Sequence, residues 1–243
     1  RQFREILLLV GRKNGKTLFA AAIVRYIWCT DGFGNRCYVV APKLEQSELS
    51  YSSIWTMTTL DPEYQEKFKE SRVLDSSRRK MNPDDPTMEK HRQTDLYIPG
   101  TNSTVKKIAF NAKKSDGFNP HLTVCDEIAA WVGENGIRQY TVMTSALGSR
   151  EQPMIFSITT ANHVPGGIYD ELFKRATSLL QGNSREKRLL PFIYQIDNVE
   201  KWNDLNELQK SLPGLGESVS VKFILREIAT AESSLSKKSE LIT

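Results

Sequence analysis

The sequence lacks an apolar run that could cross a bilayer, because nothing in it approaches the ~20 consecutive apolar residues that a membrane helix needs. Cysteine and histidine are scarce, with three of each and no spacing typical of a zinc site. An odd number of cysteines is typical of a reducing cytosol and not of a disulfide framework. No internal repeat or low-complexity tract is present. We therefore expect neither a membrane-spanning protein nor a zinc or disulfide scaffold.

A large excess of one charge is missing as well. The 33 basic and 29 acidic residues give a net charge of +4, which does not by itself indicate a nucleic-acid partner. Hydrophobic residues make up 39% and charged residues 26% of the 243 positions, as in a packed α/β domain with or without an appendage. The first residues are not a secretory signal, and they run almost directly into a strand. We expect a further N-terminal segment in the natural protein.

The strongest pattern lies at the start of the chain. An apolar run at 6–10 ends in a basic, glycine-containing turn, and a helix-favouring segment follows. This order is typical of a P-loop, in which Gly15 lets the backbone approach a phosphate and the N–H groups of the helix start attract anions. We expect Lys16 to reach the β- and γ-phosphates of a nucleotide and the Thr17 hydroxyl to bind Mg²⁺.

The loop departs from the general pattern G-x-x-x-x-G-K-[ST] in one place. Val10 stands where the pattern has its first glycine, and Gly11 follows one position later. The alternative is an ordinary strand–turn–helix with a surface Gly-Lys pair. A second motif is needed to decide.

That second motif is a predicted buried strand at 122–126 that ends in Asp126 and Glu127. A strand merely capped by acidic residues is the alternative. After a P-loop, with other α/β elements between, the pattern favours a Walker B motif. Asp126 would hold Mg²⁺ directly or through water, and Glu127 would orient and deprotonate the attacking water.

The rest of the chain alternates between strand and helix patterns. We predict strands at 37–41, 96–98, 105–110, 154–160 and 189–196, and helices at 16–28, 46–59, 134–147, 168–180, 205–212 and from 220 onward. Basic clusters at 76–80 and 89–92 lie in a polar excursion from the sheet, where they could touch a nucleic-acid backbone or form a solvated loop.

The strand predicted at 154–160 ends in hydroxyl side chains. Ligands of open parallel sheets collect at the carboxyl ends of the strands, so Thr159, Thr160 and Asn162 are candidates for sensing the γ-phosphate. The alternative is the ordinary preference of threonine for strands. Both interpretations stay open at this point.

In these motifs and their order, the sequence resembles the ATPase portion of the large terminase subunit of tailed bacteriophages, the motor that packs DNA into capsids. The resemblance rests on VGRKNGKT at 10–17, where that family also lacks the first glycine, DGFNPHLTVCDE at 116–127 and SITTA at 157–161. Segments 194–197 and 203–220 resemble the connection toward the second domain of that family.

The resemblance implies ATP and Mg²⁺ as cofactors. It also implies a nucleotide-binding loop composed of Gly11, Arg12, Lys13, Asn14, Gly15, Lys16 and Thr17. Thr17 and Asp126 would bind the metal and Glu127 would be catalytic. Thr159 and Thr160 would couple loss of the γ-phosphate to movement.

Two departures limit what the resemblance implies. The family's C-terminal nuclease is not contained in this sequence, so we expect no DNA cleavage. Some relatives carry an arginine finger before the Walker B strand, where this chain has Asp116. Such a finger is worth ~10³–10⁵ in rate. Arg138, Arg150 or the pair Lys113 and Lys114 would have to supply it, and we favour Arg150.

We therefore predict an α/β P-loop NTPase fold of the ASCE type, a mostly parallel sheet flanked by helices. The core would span 1–198 and a helical linker region 199–243. The predicted function is Mg²⁺-dependent ATP hydrolysis that drives double-stranded DNA into a procapsid. The resemblance implies a ring of identical subunits, with portal protein and small terminase subunit as partners, in the host cytoplasm and without a membrane. A helicase-like ATPase and a nucleotide-gated assembly protein with negligible turnover are the alternatives.

Overall fold

The computed structural model describes residues 3–62, 95–109, 118–161, 165–234 and 238. Several sequence-based predictions lie outside these ranges: the basic clusters at 76–80 and 89–92, Lys113 and Lys114, Asp116, and Asn162.

A seven-stranded sheet forms the centre of the described chain. Its strands are β1 (Glu5–Leu9), β2 (Arg36–Ala41), β3 (Asp95–Ile98), β4 (Ser103–Ala109), β5 (Leu122–Asp126), β6 (Met154–Thr159) and β7 (Leu189–Ile193). They are arranged in the order β3-β4-β2-β5-β6-β1-β7, and only β3 runs antiparallel to its neighbour. This confirms the predicted mostly parallel sheet. The carboxyl ends of β1, β5 and β6 therefore meet at one edge of the sheet.

Helices cover both faces of the sheet. They are α1 (Lys16–Thr30), α2 (Leu44–Thr59), α3 (Gly133–Ala146), α4 (Ile168–Leu180), α5 (Leu205–Ser211) and α6 (Val221–Ala231). Side chains of a strand alternate between faces, so Leu8 packs with α1 and α2 while Leu7 and Leu9 pack with α3 and α4. Both faces of the central strands are apolar, as expected for a parallel sheet buried on both sides.

Most predicted boundaries agree with the structure to within two residues, but β7 is shorter than predicted. It ends at Ile193 and not at residue 196. The reason is that Ile196 leaves the sheet for the C-terminal hydrophobic cluster, and the backbone N–H groups of Asp197 and Asn198 donate to Glu207 at 2.5 and 2.9 Å. Pro191 lies within β7 and is tolerated because β7 is an edge strand.

The C-terminal part of the described chain has a hydrophobic cluster of its own. The buried members are Ile196, Trp202, Leu208, Leu212, Val219, Ile224, Ile228 and Ala231. This cluster is consistent with a separate region after the ATPase core, and the boundary at 198 stays a prediction. Within the described residues, no helix is both long and apolar enough to cross a bilayer.

Candidate nucleotide-binding site

The loop between β1 and α1 has the backbone of an anion cradle. Lys13 and Gly15 both adopt left-handed conformations, with φ of 67° and 71°, so the chain curls before α1 begins at Lys16. No side chain caps the start of α1. The N–H groups of its first turn, with the positive end of the helix dipole, are therefore available to an anion. The structure thus favours a phosphate loop over an ordinary turn.

The shift of glycine from position 10 to position 11 has a packing reason. Val10 is only 4% exposed and continues the apolar face of β1 into the core. At Gly11, a Cβ atom would stand 2.5 Å from Leu212 Cδ2 and 3.0 Å from the Ser211 carbonyl oxygen. The Gly11 N–H donates to that same oxygen at 3.1 Å. A side chain at position 11 would displace Leu212 and crowd the Ser211 carbonyl, so this packing favours glycine where the loop meets the C-terminal region.

Asn14 holds the loop together. Its Nδ2 donates to the carbonyl oxygens of Gly11 and Arg12 at 3.0 and 3.1 Å. Its Oδ1 accepts from the N–H of Gly214 at 2.8 Å, which ties the loop to the segment after α5. The structure thus gives Asn14 a bracing role, and its predicted contact with nucleotide stays a prediction.

The two basic residues that precede Asn14 are both exposed. The Lys13 ammonium lies 3.3 Å from the centroid of the Phe223 ring in α6. A cation over an aromatic face is attracted to it, so Lys13 also links the loop to the C-terminal region. A direct role of Arg12 and Lys13 at the phosphates stays a prediction.

Asp126 is held by three donors at the carboxyl end of β5. Its side chain accepts from Ser50 Oγ of α2 at 3.3 Å and from the Glu127 N–H at 2.9 Å, and its carbonyl oxygen accepts from Trp131 Nε1 at 3.1 Å. Only 4% of Asp126 is exposed. Burial, followed by the charge of Glu127, raises the pKa of Asp126 to about 6, against the opposing effect of Lys16. A cation beside this carboxylate would favour its charged form.

Glu127 leaves the strand conformation at once. Its φ and ψ are both 50°, a left-handed backbone that is uncommon for residues other than glycine and costs free energy. Its Oε1 lies 3.4 Å from Lys16 Nζ, and a third of its side chain is exposed. The lysine of the first motif and the glutamate of the second are thus neighbours, although 111 positions separate them.

The end of β6 connects the two motifs. Thr159 is fully buried, and its Oγ1 accepts from the Ala129 N–H at 3.2 Å and donates to the Thr160 carbonyl at 2.8 Å. The carbonyl oxygen of Thr159 accepts from the Val10 N–H at 3.2 Å. Thr159 therefore joins the turn after Glu127 to the start of the P-loop. Thr160 is 9% exposed beside it, and Asn162 lies outside the described residues.

The donor set fits Mg²⁺. Thr17 offers a hydroxyl in the first turn of α1 and Asp126 a buried carboxylate, and magnesium prefers such oxygen ligands together with those of a phosphate. In the parts of the chain that the structure describes, no cluster of three or more His, Cys, Asp or Glu side chains could hold a metal alone. Such a sparse protein contribution is usual for a metal that arrives with a nucleotide.

The two arginine-finger candidates within the described ranges lie in different places. Arg138 is exposed on α3. Arg150 precedes β6 and lies at the opposite edge of the sheet from the P-loop. Its Nε donates to Asn119 Oδ1 at 2.7 Å, and its Nη2 donates to the Gly34 carbonyl at 2.8 Å. Arg150 is therefore remote from the P-loop of its own chain, and its role as a finger stays a prediction.

Sequence reasoning missed Ser50, Trp131 and the contacts of the C-terminal region with the P-loop. For Ser50 a pattern was available. Ser47, Ser50, Tyr51 and Ile54 follow helical spacing, and all four are buried on the face of α2 that meets the sheet. The contacts of Gly214 and Ser211 had no such local pattern, because they depend on how distant segments pack.

Comparison with known proteins identifies the family of this site. A family model described as the ATPase domain of the terminase large subunit matches residues 1–178. Protein YmfN of Escherichia coli strain K12 is 32% identical over 116 residues, which cover 47% of this chain and 25% of YmfN.

Solved structures agree with the fold. The large terminase of bacteriophage HK97 superposes with a TM-score of 0.72 at 20% identity, over 99% of this chain and 46% of that one. The large terminase of a thermophilic bacteriophage gives a TM-score of 0.50 at 13% identity, over 92% of this chain and 44% of that one. The chain thus spans less than half the length of both terminases and a quarter of YmfN.

Proposed function

The chain belongs to the family of terminase large subunit ATPase domains, and from that premise we propose that it is the ATPase of a viral DNA-packaging motor. It hydrolyses ATP to move double-stranded DNA into a procapsid. The observation that carries the proposal is the meeting of Lys16 and Glu127, 3.4 Å apart, beside the buried Asp126. An acidic pair at the end of a strand, facing the lysine of a phosphate loop, suits attack of water on a γ-phosphate.

Each residue of the site has a distinct part in this reaction. Lys16 and the N–H groups at the start of α1 bind the β- and γ-phosphates and neutralise charge as the terminal phosphoryl group departs. Thr17 and Asp126 would hold Mg²⁺, which supplies further neutralisation of the phosphate oxygens. Glu127 is a third exposed, so a water molecule can reach it.

Glu127 is the catalytic base of the proposed reaction. It accepts the proton of the water that attacks the γ-phosphorus, and the bond to the β-phosphate oxygen breaks to leave ADP and inorganic phosphate. The left-handed backbone at Glu127 frees its side chain from the alternation of β5 and aims it toward Lys16. Backbone strain at such a position is typical of functional sites.

Two sets of contacts support a coupling of hydrolysis to movement. Thr159 bonds to the turn after Glu127 and to the start of the P-loop. Asn14 and Gly11 bond to the segment around α5. A change at the phosphates therefore has a short bonded path to the C-terminal helices.

The working form is proposed to be a ring of identical subunits in the host cytoplasm, with double-stranded DNA, portal protein and small terminase subunit as partners. A basic residue of the neighbouring subunit would complete each site. Arg150 is the favoured candidate and Arg138 the second.

The test is release of phosphate from ATP with Mg²⁺, measured for the wild type and for Glu127→Gln over a range of protein concentrations. The variant should lose about a hundredfold or more in kcat while it still binds ATP, because it lacks the base. Glu134→Gln, in the first turn of α3, is the control and should keep full activity. If the wild type binds ATP but releases no phosphate, the nucleotide-gated assembly protein is favoured. A Glu127→Gln variant with normal activity would contradict the proposed role of Glu127 as the base.

A further inference from the structure

The amino-terminal edge of the sheet, opposite the P-loop, carries a row of basic side chains. The row consists of Arg36 at the start of β2, Arg150 before β6, Arg4 before β1, and Lys187 and Arg188 before β7. We refer to these five residues as the basic edge. They come from four separate parts of the sequence, and only the strand order brings them together.

Backbone hydrogen bonds show that the row is continuous. The Arg36 carbonyl accepts from the His121 N–H at 2.8 Å, and the His121 carbonyl accepts from the Met154 N–H at 3.0 Å. The Arg4 carbonyl accepts from the Ile155 N–H, and the Arg4 N–H donates to the Arg188 carbonyl, both at 2.8 Å. The β2, β5, β6, β1 and β7 strands therefore present their first residues side by side.

The nearby acidic groups neutralise little of this charge. Asp31 pairs with His121 at 2.8 Å, and Glu5 and Glu186 both bind Arg175. Glu151 is exposed, and Arg4 Nη2 donates to its backbone carbonyl oxygen, at 2.5 Å, and not to its carboxylate. Glu5 and Glu186 thus share the cation of Arg175, and Asp31 is bonded to the ring of His121.

Arg36 and Arg150 are neighbours on the basic edge. Arg150 is fixed by Asn119 and Gly34, and the charge of Arg36 lowers the pKa of Arg150 after the effect of burial. Arg36 and Arg150 line the same cavity of about 670 Å³, with Asp31, Asn119 and Glu151 among its other walls. Holding two like charges together costs free energy, which a bound anion would recover.

From this row we infer that its three exposed members, Arg36, Lys187 and Arg188, bind the phosphate backbone of double-stranded DNA, at the ends of the strands opposite to the nucleotide. The identity of the partner rests on the proposed function. Neighbouring strands are ~4.8 Å apart, so the four steps from β2 to β7 extend over roughly 19 Å. A duplex carries roughly 11 phosphates over that length.

The chemistry of the row suits phosphate. Four of the five residues are arginines, whose planar forks match two phosphate oxygens at once. Arg4 and Arg150 are half-buried and already donate to backbone carbonyls, so the exposed Arg36, Lys187 and Arg188 are the side chains that can meet phosphates. A linear, exposed row suits a polymer better than a compact anion, which would need an enclosing pocket.

The experiment measures the affinity of a fluorescent DNA duplex for the chain by anisotropy, at several salt concentrations. The test variant is the double substitution Arg36→Glu/Arg188→Glu, at two exposed positions whose side chains make no hydrogen bond or ion pair to other described residues. The control is Lys174→Glu/Lys222→Glu, which makes the same change in net charge on exposed positions of α4 and α6. Arg150 is left in place because it is bonded to the fold.

The test variant should bind DNA at least about tenfold more weakly, and the slope of log affinity against log salt should fall by about two, since two phosphate contacts are lost. The control should change the affinity less than about twofold. Equal losses in the two variants would overturn the inference, because only total charge would then matter. Unchanged DNA affinity in the test variant would overturn it as well.

A second measurement tests whether the basic edge contacts DNA or the nucleotide bound by a neighbouring subunit. Phosphate release is measured without DNA while protein concentration rises. The inference expects the test variant to keep its wild-type profile. If the test variant loses the concentration-dependent activity but keeps its DNA affinity, the basic edge instead contacts the nucleotide of a neighbouring subunit, and the inference is overturned. A wild type that binds DNA through this edge but releases no phosphate would remove the proposed function and leave the edge assignment standing.

Discussion

The two edges of this sheet are built in opposite ways. At the carboxyl edge, Asp126 and Thr159 are only 4% and 0% exposed, and each is hydrogen-bonded to neighbouring groups. At the amino edge, the charged ends of Arg36, Lys187 and Arg188 are exposed. The carboxyl edge also contains left-handed residues other than glycine, namely Lys13 and Glu127.

The difference corresponds to two kinds of phosphate chemistry. Hydrolysis needs groups fixed in advance around one phosphorus atom, which requires burial, supporting hydrogen bonds and some backbone strain. Contact with a DNA backbone needs cations that can meet many equivalent phosphates, which requires exposure. A single sheet can provide both because each edge is formed by different loops.

The sharpest way to separate the two edges is Lys16→Ala. This variant should lose at least about a hundredfold in ATP hydrolysis, and nucleotide binding with it, because the cation at the phosphates is removed. Its affinity for a DNA duplex should not change. Nucleotide titration, phosphate release and anisotropy measure the three quantities, and Lys174→Ala on α4 is the control. Normal ATP binding by Lys16→Ala would contradict the site.

Salt should also distinguish the edges. With three phosphate contacts, DNA affinity is expected to fall about 40-fold between 50 and 200 mM salt, because each contact releases condensed counterions. The kcat for ATP in the absence of DNA should change far less, since its groups are largely buried and poorly screened. Both are measured on one preparation. DNA affinity that does not depend on salt would argue against the basic edge.

A smaller effect is expected from Ser50→Ala, which removes one donor to Asp126. A hydrogen bond to a charged group contributes about 1.5–3 kcal/mol, and at 3.3 Å this one belongs at the low end, so kcat should fall about tenfold. The Mg²⁺ concentration for half-maximal activity should rise with it, which a merely structural loss would not cause.

The control for Ser50 is Ser47→Ala one turn earlier. Ser47 is equally buried, but its hydroxyl donates at 2.8 Å to the Leu44 carbonyl of its own helix. It should keep normal kcat and Mg²⁺ dependence. Equal defects in the two variants would show that packing of α2, and not Asp126, was disturbed.

The smallest of these effects concerns the link between the carboxyl edge and the C-terminal region. Asn14→Ala removes three hydrogen bonds of the P-loop and should lower the free energy of unfolding by about 1–3 kcal/mol. The KM for ATP should rise about threefold, since the loop is less well ordered. Thermal unfolding and steady-state kinetics measure both, with the exposed Asn183→Ala as control. Unchanged stability and KM would remove the bracing role.

The residues proposed for the carboxyl edge could be named from the sequence because each motif is local, and their roles stay predictions. Lys16 and Thr17 follow a glycine turn, and Asp126 and Glu127 end an apolar strand, so each motif is recognisable in a dozen residues. The departure at Val10 is explained only by packing, because Gly11 meets Leu212 and Ser211. Helical spacing predicts that Ser50 is buried, but no local pattern predicts its bond to Asp126 or the left-handed conformation of Glu127.

The amino edge could not be predicted in the same way. Arg36, Arg150 and Arg188 are far apart in the chain, and their proximity depends on the order of β2, β5, β6, β1 and β7. Periodicity predicts strands but not their order. The end of β7 was wrong for a related reason, since Ile196 follows the C-terminal cluster and not the sheet.

The most direct measurement of the central claim is a crystal structure of this chain with Mg²⁺ and a non-hydrolysable ATP analogue. We expect the γ-phosphate to contact Lys16 and the N–H groups at the start of α1. We also expect the metal to lie between Thr17 and Asp126, and a water molecule to lie in line with the γ-phosphate beside Glu127. A nucleotide bound at any other place, or one with its phosphates turned away from Lys16, would contradict it.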